Sequence, residues 1–267
     1  MIMKADNKNL LLRVLVALVF GPAVIYCLYS GGIPLLIFLM IASFGLITEF
    51  CLLPRVRCGP FRGGLLLAAG LGLPIIYYAG RGDIAAEFVI SASAVWLLLE
   101  LLRGEFGGTL ERAAFGPFAL IFFAWGPAFS FELGRISPLY AVLPMALVWV
   151  GDSAAYFGGK AFGRRKMTPL LSPHKTWAGF GGEIVGAMAT ALVFRLVWPD
   201  VFGWDILFFA APAGVLAVLG DLFESKAKRE MKIKDSSHVI PGHGGFWDRF
   251  DSWLFVQLWA WIYFVVL

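Results

Sequence analysis

The chain predicts an all-α, polytopic integral membrane protein of about nine helices, on three observations. Of its 267 residues, 60% are hydrophobic and 16% aromatic, while only 15% are charged, against ~25% in a soluble domain. The apolar residues come in long unbroken runs, each near the ~20 residues that one bilayer crossing needs. Loops of low charge alternate with basic ones, as orientation by Lys and Arg requires. Together these exclude a soluble enzyme, a disordered chain and a disulfide-stapled secreted domain.

The spans are expected at 10–29, 33–53, 64–80, 84–102, 113–133, 138–158, 177–198, 205–223 and 252–267. The first follows a charged head, Met1 to Asn9, with the charge order of a signal peptide. No small-residue cleavage site follows it cleanly and more spans come after, so it reads as an uncleaved helix. Low-charge loops at 30–32 and 81–83 close the first and second pairs of spans. The third span is rich in small residues (Gly63, Gly64, Gly70, Gly72), which permits close packing within the chain or between two copies in a homodimer. With the N-terminus in the cytoplasm, nineteen of the 22 basic residues fall on that side, and Arg81, Arg135 and Arg195 fall outside. An odd number of spans then puts the C-terminus outside, in a multi-pass protein of the bacterial inner membrane.

Composition divides the chain into residues 1–135, with spans 1–5 and plain short loops, and residues 136–267, with spans 6–9 and polar chemistry. The cytoplasmic loops 158–176 and 224–251 hold eleven basic residues and all three histidines, His174, His238 and His243. The polar site is therefore expected at the cytoplasmic ends of the C-terminal helices. The net charge of +4 sits in short loops, which favours anionic lipid or a phosphorylated substrate and not nucleic acid. Cys27, Cys51 and Cys58 lack CxxC spacing and imply neither a disulfide framework nor a zinc site. No internal repeat is evident, which weighs against an inverted-repeat transporter.

An ionised group at the bilayer centre costs ~2.5–3.5 kcal/mol on insertion scales, so acids in the spans are informative. Glu49, Glu87, Glu100 and Glu132 lie near span ends and read as interfacial anchors. Glu183 lies among Gly179, Gly181, Gly182 and Gly186, where it faces a polar cavity or bonds across a tight helix contact. Asp152 is deeper in its span, and functional use is favoured over structural glue.

The stretch 221–251 concentrates the chemistry. Asp221 ends one helix, and Asp248 and Asp251, three apart, share a face at the start of the next. Carboxylates from two helix ends can share a Mg²⁺ ion with substrate phosphates. Lys228, Arg229, Lys232 and Lys234 supply positive charge between them, and Gly242, Gly244 and Gly245 allow backbone N–H groups to converge on an anion. The other loop offers Ser172-Pro173-His174-Lys175-Thr176 at the start of the seventh span. It reads equally as a phosphate site at a helix N-terminus and as a helix cap beside topology charges. The P-loop spacing is absent.

The residues Ser225, Lys228-Arg229, Lys234-Asp235, Ile240-Pro241, His243-Gly244-Gly245 and Asp248-Arg249-x-Asp251 closely resemble the signature of phosphatidate cytidylyltransferases, or CDP-diacylglycerol synthases. Asp152-Ser153-Ala154-Ala155-Tyr156, Ser172-Pro173-x-Lys175-Thr176 and Gly220-Asp221-Leu222-x-Glu224-Ser225 also resemble family motifs. The strong match spans about residues 150–253. Ala227 and Ala178 depart from the family pattern, and His238 occupies a variable position.

The resemblance implies that CTP and phosphatidate give CDP-diacylglycerol and pyrophosphate. It implies Mg²⁺, with room for a second ion, on Asp221, Asp248 and Asp251. Asp221, Asp248, Lys175 and His243 are then the expected catalytic residues. Substrate binding is expected of Asp152, Ser172, Lys175, Thr176, Ser225, Lys228, Arg229, Lys234, Asp235, Gly244, Gly245 and Arg249. A CTP-dependent lipid kinase and a transporter are the rival readings. The CDP-alcohol phosphotransferases have an aspartate spacing that is not found here.

Overall fold

The computed structural model describes residues 18–267 except 105, 106, 238 and 240–243. Its helices are α1, described over Leu18–Ser30, α2 (Gly32–Leu52), α3 (Pro60–Tyr78), α4 (Ala85–Leu101) and α5 (Thr109–Leu120). A π-helical turn, Ile121–Trp125, leads to the short α6 (Gly126–Ala128) and α7 (Ser130–Ile136). Then come α8 (Pro138–Phe162), α9 (Trp177–Val197), α10 (Ile206–Glu230) and α11 (Trp247–Trp261), which continues as a π-helix over Ile262–Val266. Among the described residues, 7 helical segments are long and apolar enough to cross a membrane, and they match the second to eighth expected runs. Residues 10–17 of the first run lie outside the described residues, and α11 is a 15-residue helix before its π-helical end. The protein is an all-α, multi-pass membrane protein.

Two boundaries differ from expectation for a physical reason. Helices α8 and α10 run to Phe162 and Glu230, past the expected ends at 158 and 223. A polar helix can outlast its apolar run when neighbouring turns pair: Glu224 binds Lys228 at 2.7 Å, four residues on. Lys228 and Arg229 in the last turn suit the negative end of the helix dipole. The segment 158–176, expected as a loop, also contains an antiparallel hairpin of β1 (Lys166–Thr168) and β2 (Ser172–Thr176). Lys166 lies opposite Thr176, and Thr168 opposite Ser172. Ser-Pro-His-Lys-Thr has no alternation of apolar and polar residues that would announce a strand.

The chain forms two compact units, Met1–Phe131 with Asp235–Arg249, and Glu132–Lys234 with Phe250–Leu267. In the first, Phe50 packs its ring against Phe115, Phe118, Phe123 and Trp247 at centroid distances of 5.4–6.2 Å. Glu100 is buried there and binds Arg62 at 2.8 Å and Arg112 at 2.6 Å, so this anchor is tied to protein cations.

In the second unit, small residues bring the helices together. A Cβ on Gly186 would lie 2.8 Å from Ala154 Cβ and 2.9 Å from Gly151 Cα, so α9 touches the backbone of α8. A Cβ on Gly220 would lie 2.6 Å from the Asp251 carbonyl oxygen. The close approach of α10 and α11 at Gly220 makes neighbours of Asp221 and Asp251. The sequence placed these helices next to one another in the chain; the glycines decide which faces meet.

Candidate active site

The second unit contains a cavity of about 510 Å³. Helix α8 lines it with Asp152, Tyr156, Gly159 and Lys160, a stripe at helical spacing that its cap Gly163 extends. Helix α9 contributes Gly179, Phe180 and Glu183 with its N-cap Thr176, and α10 contributes Val218 and Asp221. The hairpin adds Lys166, His174 and Lys175. At ~1.5 Å rise per residue, Glu183 lies ~10 Å along α9 from Thr176, and Asp152 lies ~12 Å along α8 from Lys160. The cavity is thus bipolar, with Lys160, Lys166 and His174 at the hairpin end and Asp152 and Glu183 at the other.

Lys175 and Asp221 join these ends, with Nζ 2.5 Å from Oδ2. Glu183 is 2% exposed, and its Oε1 has no hydrogen-bond partner among the described residues. A Cβ on Gly151 would strike that oxygen at 2.2 Å. Of the two alternatives for Glu183, the cavity holds: it lines the cavity and packs against α8 at Gly151, and no hydrogen bond of its carboxylate across that contact is seen among the described residues.

Asp221, Glu224 and Asp251 each present a carboxylate oxygen, and these oxygens lie within 4.8 Å of one another. Asp221 and Glu224 share one face of α10 by their spacing of three, and Gly220 lets α11 bring Asp251 beside them. Three hard oxygen donors converging from two helices fit a Mg²⁺ ion, which is held by carboxylates together with water and phosphate. Ser252 N–H donates to Asp251 Oδ1 at 2.7 Å, and Ser225 Oγ donates to Asp221 Oδ1 at 3.3 Å, bonds that fix both carboxylates.

The other expected residues fall as follows. Thr176 caps α9, its hydroxyl accepting from Gly179 N–H at 3.1 Å, and Ser172 sits in β2 beside Thr168. Lys228, 8% exposed, binds Glu224. Arg229 donates to the Ile233 carbonyl. Lys234, Asp235 and Arg249 are exposed. Asp248 belongs to the first unit, where its Oδ2 accepts from Gly245 N–H at 2.8 Å and Ser236 N–H at 3.0 Å. Gly244 has φ +78°, and a Cβ there would lie 2.7 Å from Asp248 Oδ2. His243, with Ile240, Pro241, Gly242 and His238, lies outside the described residues.

Some residues of the site escaped the sequence reading. Glu224 lies within Gly220–Ser225, and its spacing of three from Asp221 is the signal in the sequence that joins it to the carboxylates. Lys160, Lys166 and His174 were counted as loop charge, because nothing local to them marks a hairpin folding over a cavity.

A family model described as "Cytidylyltransferase family" matches residues 11–267. The chain is 33% identical over 272 aligned residues to the phosphatidate cytidylyltransferase of Bacillus subtilis, covering 97% of both chains. It is 30% identical to the protein of that name from Brucella suis, over 92% of this chain and 89% of the relative. To that of Haemophilus influenzae it is 46% identical, over 67% and 69%. A match that runs from the first apolar run to the last residue leads to one conclusion: the chain belongs to the cytidylyltransferase family.

Proposed function

We propose that this protein is a phosphatidate cytidylyltransferase, a nucleotidyltransferase of phospholipid biosynthesis that moves CMP from CTP to phosphatidate. The supporting observation is the cavity in which Lys160, Lys166, His174 and Lys175 face Asp152, Glu183 and Asp221. Cations suit a triphosphate and a lipid phosphate; converging carboxylates suit a hard cation that accompanies them.

In this reading a phosphatidate oxygen forms a bond to the α-phosphorus of CTP, and the bond from that phosphorus to the bridging oxygen breaks. Pyrophosphate leaves with the electron pair and CDP-diacylglycerol remains. The attacking oxygen is already anionic near neutral pH, so no Ser or Cys nucleophile is required, and catalysis rests on positioning and charge neutralisation. Lys175 holds phosphate oxygens at the centre of the cavity, and Lys160, Lys166 and His174 hold the outer phosphates. Asp221, Glu224 and Asp251 would hold Mg²⁺, which when bound neutralises phosphate charge and eases departure of pyrophosphate. Lys228 steadies Glu224, and Ser225 steadies Asp221. His243, Arg249 and Asp248 are assigned to the reaction on the family motif. The site faces the cytoplasm, where soluble CTP meets the headgroup of a lipid whose acyl chains stay in the bilayer.

The test uses purified protein in detergent with phosphatidate, Mg²⁺ and CTP labelled at the α- or the γ-phosphate. The α-label should enter the lipid and the γ-label should appear in pyrophosphate. A γ-label in the lipid with release of CDP would make the protein a lipid kinase and overturn the proposal, as would a lipid fraction free of either label.

A further inference from the structure

Glu49, near the end of α2, was read from the sequence as an interfacial anchor. It is 4% exposed, and its partners among the described residues are hydroxyls and backbone amides of a segment 187 to 198 positions away. Oε1 accepts from Phe246 N–H at 2.7 Å and from the Ser237 hydroxyl. Oε2 accepts from Trp247 N–H at 3.0 Å and lies 3.1 Å from Ser236 Oγ. Burying a carboxylate is costly unless hydrogen bonds replace its water. Here four donors do so, two of them amides at the start of α11, where free N–H groups and the helix dipole favour negative charge. The packing is built for this contact. A Cβ on Gly45, one turn before Glu49, would lie 2.4 Å from the Phe246 ring, and Trp247 packs against Phe123 at 5.4 Å.

The arrangement extends one bond further, to Asp248. Ser236 Oγ lies 2.9 Å from Asp248 Oδ2 as well as 3.1 Å from Glu49 Oε2, so one hydroxyl hydrogen serves two carboxylates. Ser236 N–H and Gly245 N–H donate to the same Asp248 oxygen. Glu49 therefore fixes Ser236, and Ser236 fixes the direction of the Asp248 carboxylate.

We propose that Glu49 is a positioning residue for the nucleotidyl transfer, acting through Ser236 to hold the Asp248 carboxylate in one orientation. This rests on the functional reading above, in which Asp248 belongs to the reacting machinery. If Glu49 only anchored the helix, its two amide bonds to Phe246 and Trp247 would be the whole of its role and Ser236 would be incidental.

The decisive variant is Ser236→Ala, which leaves both amide bonds to Glu49 in place and removes the hydroxyl that bridges Glu49 and Asp248. In full-length protein in detergent, kcat should fall about 10–100-fold, the scale for losing the group that orients a functional side chain. The thermal midpoint should stay near that of the parent. Glu49→Gln should lose at least as much, and adding Ser236→Ala to it should change little, since residues acting as a unit are not additive. Parental kcat in Ser236→Ala, or losses that multiply in the double variant, would overturn the positioning role. Amide hydrogen exchange at Phe246 and Trp247 should be faster in Glu49→Gln than in the parent; unchanged exchange would overturn the Glu49 contact whatever the activities. A parent protein that makes no lipid product while its exchange pattern is as expected would overturn the functional reading, and with it the claim that this contact serves transfer.

Discussion

Replacing Asp221 by Asn should lower CDP-diacylglycerol formation by about 10²–10³-fold, the scale for removing one preorganised charged group from a reacting centre. Asp251→Asn should do the same. The two carboxylates come from different helices, yet their oxygens, with that of Glu224, lie within 4.8 Å. Groups that hold one ion act as a unit, so the double variant should be little worse than either single one. Stability should hold or rise, because the like charges of the cluster repel when no cation separates them. Independent fold anchors would behave otherwise: their losses would multiply, and protein yield would fall with activity. Turnover against Mg²⁺ concentration for the four proteins, with their thermal midpoints, separates the two cases. Single variants with near-parental turnover and Mg²⁺ dependence would remove the cluster from the mechanism.

Lys175→Ala should be the next most damaging change, with a loss of about 10²-fold or more in kcat/KM for CTP. The ammonium sits 2.5 Å from Asp221 Oδ2, on a hairpin strand that closes one end of the cavity. Were it only a topology charge, losing one of the nineteen basic residues expected on the cytoplasmic side would barely matter. Lys175→Arg keeps the charge but replaces a compact ammonium with a planar fork, and should recover part of the loss at most. Steady-state kinetics on correctly inserted protein test this, and parental kcat/KM for Lys175→Ala would return the residue to topology alone.

The helices were legible because apolar runs of bilayer length are the strongest pattern a sequence can carry. The end of α10 was not, since polar turns beyond an apolar run are stabilised by pairs such as Glu224–Lys228 that hydropathy does not register. Asp221 and Asp251 were legible as candidates from their places at the ends of apolar runs, although α10 itself continues to Glu230. Their meeting depends on Gly220, whose missing Cβ brings α10 against α11, and a single glycine among 31 gives no such signal alone. Glu49 was misjudged for a related reason: a carboxylate at a span end resembles an interfacial anchor until its partners, nearly two hundred residues away, are in view. Glu183 was legible as unusual and open as to role. Its burial against Gly151 and its place on the cavity wall follow from the α8–α9 contact.

The bipolar cavity of the second unit is expected to receive the nucleotide phosphates. Photolabelling with a CTP analogue that carries its reactive group on the terminal phosphate, followed by peptide mapping, tests it most directly. The label should fall within residues 156–180, which contain Lys160, Lys166, His174 and Lys175, and excess CTP should suppress it. A CTP-protected label confined to the first unit, for instance around Arg62, Arg103 and Arg112, would contradict it.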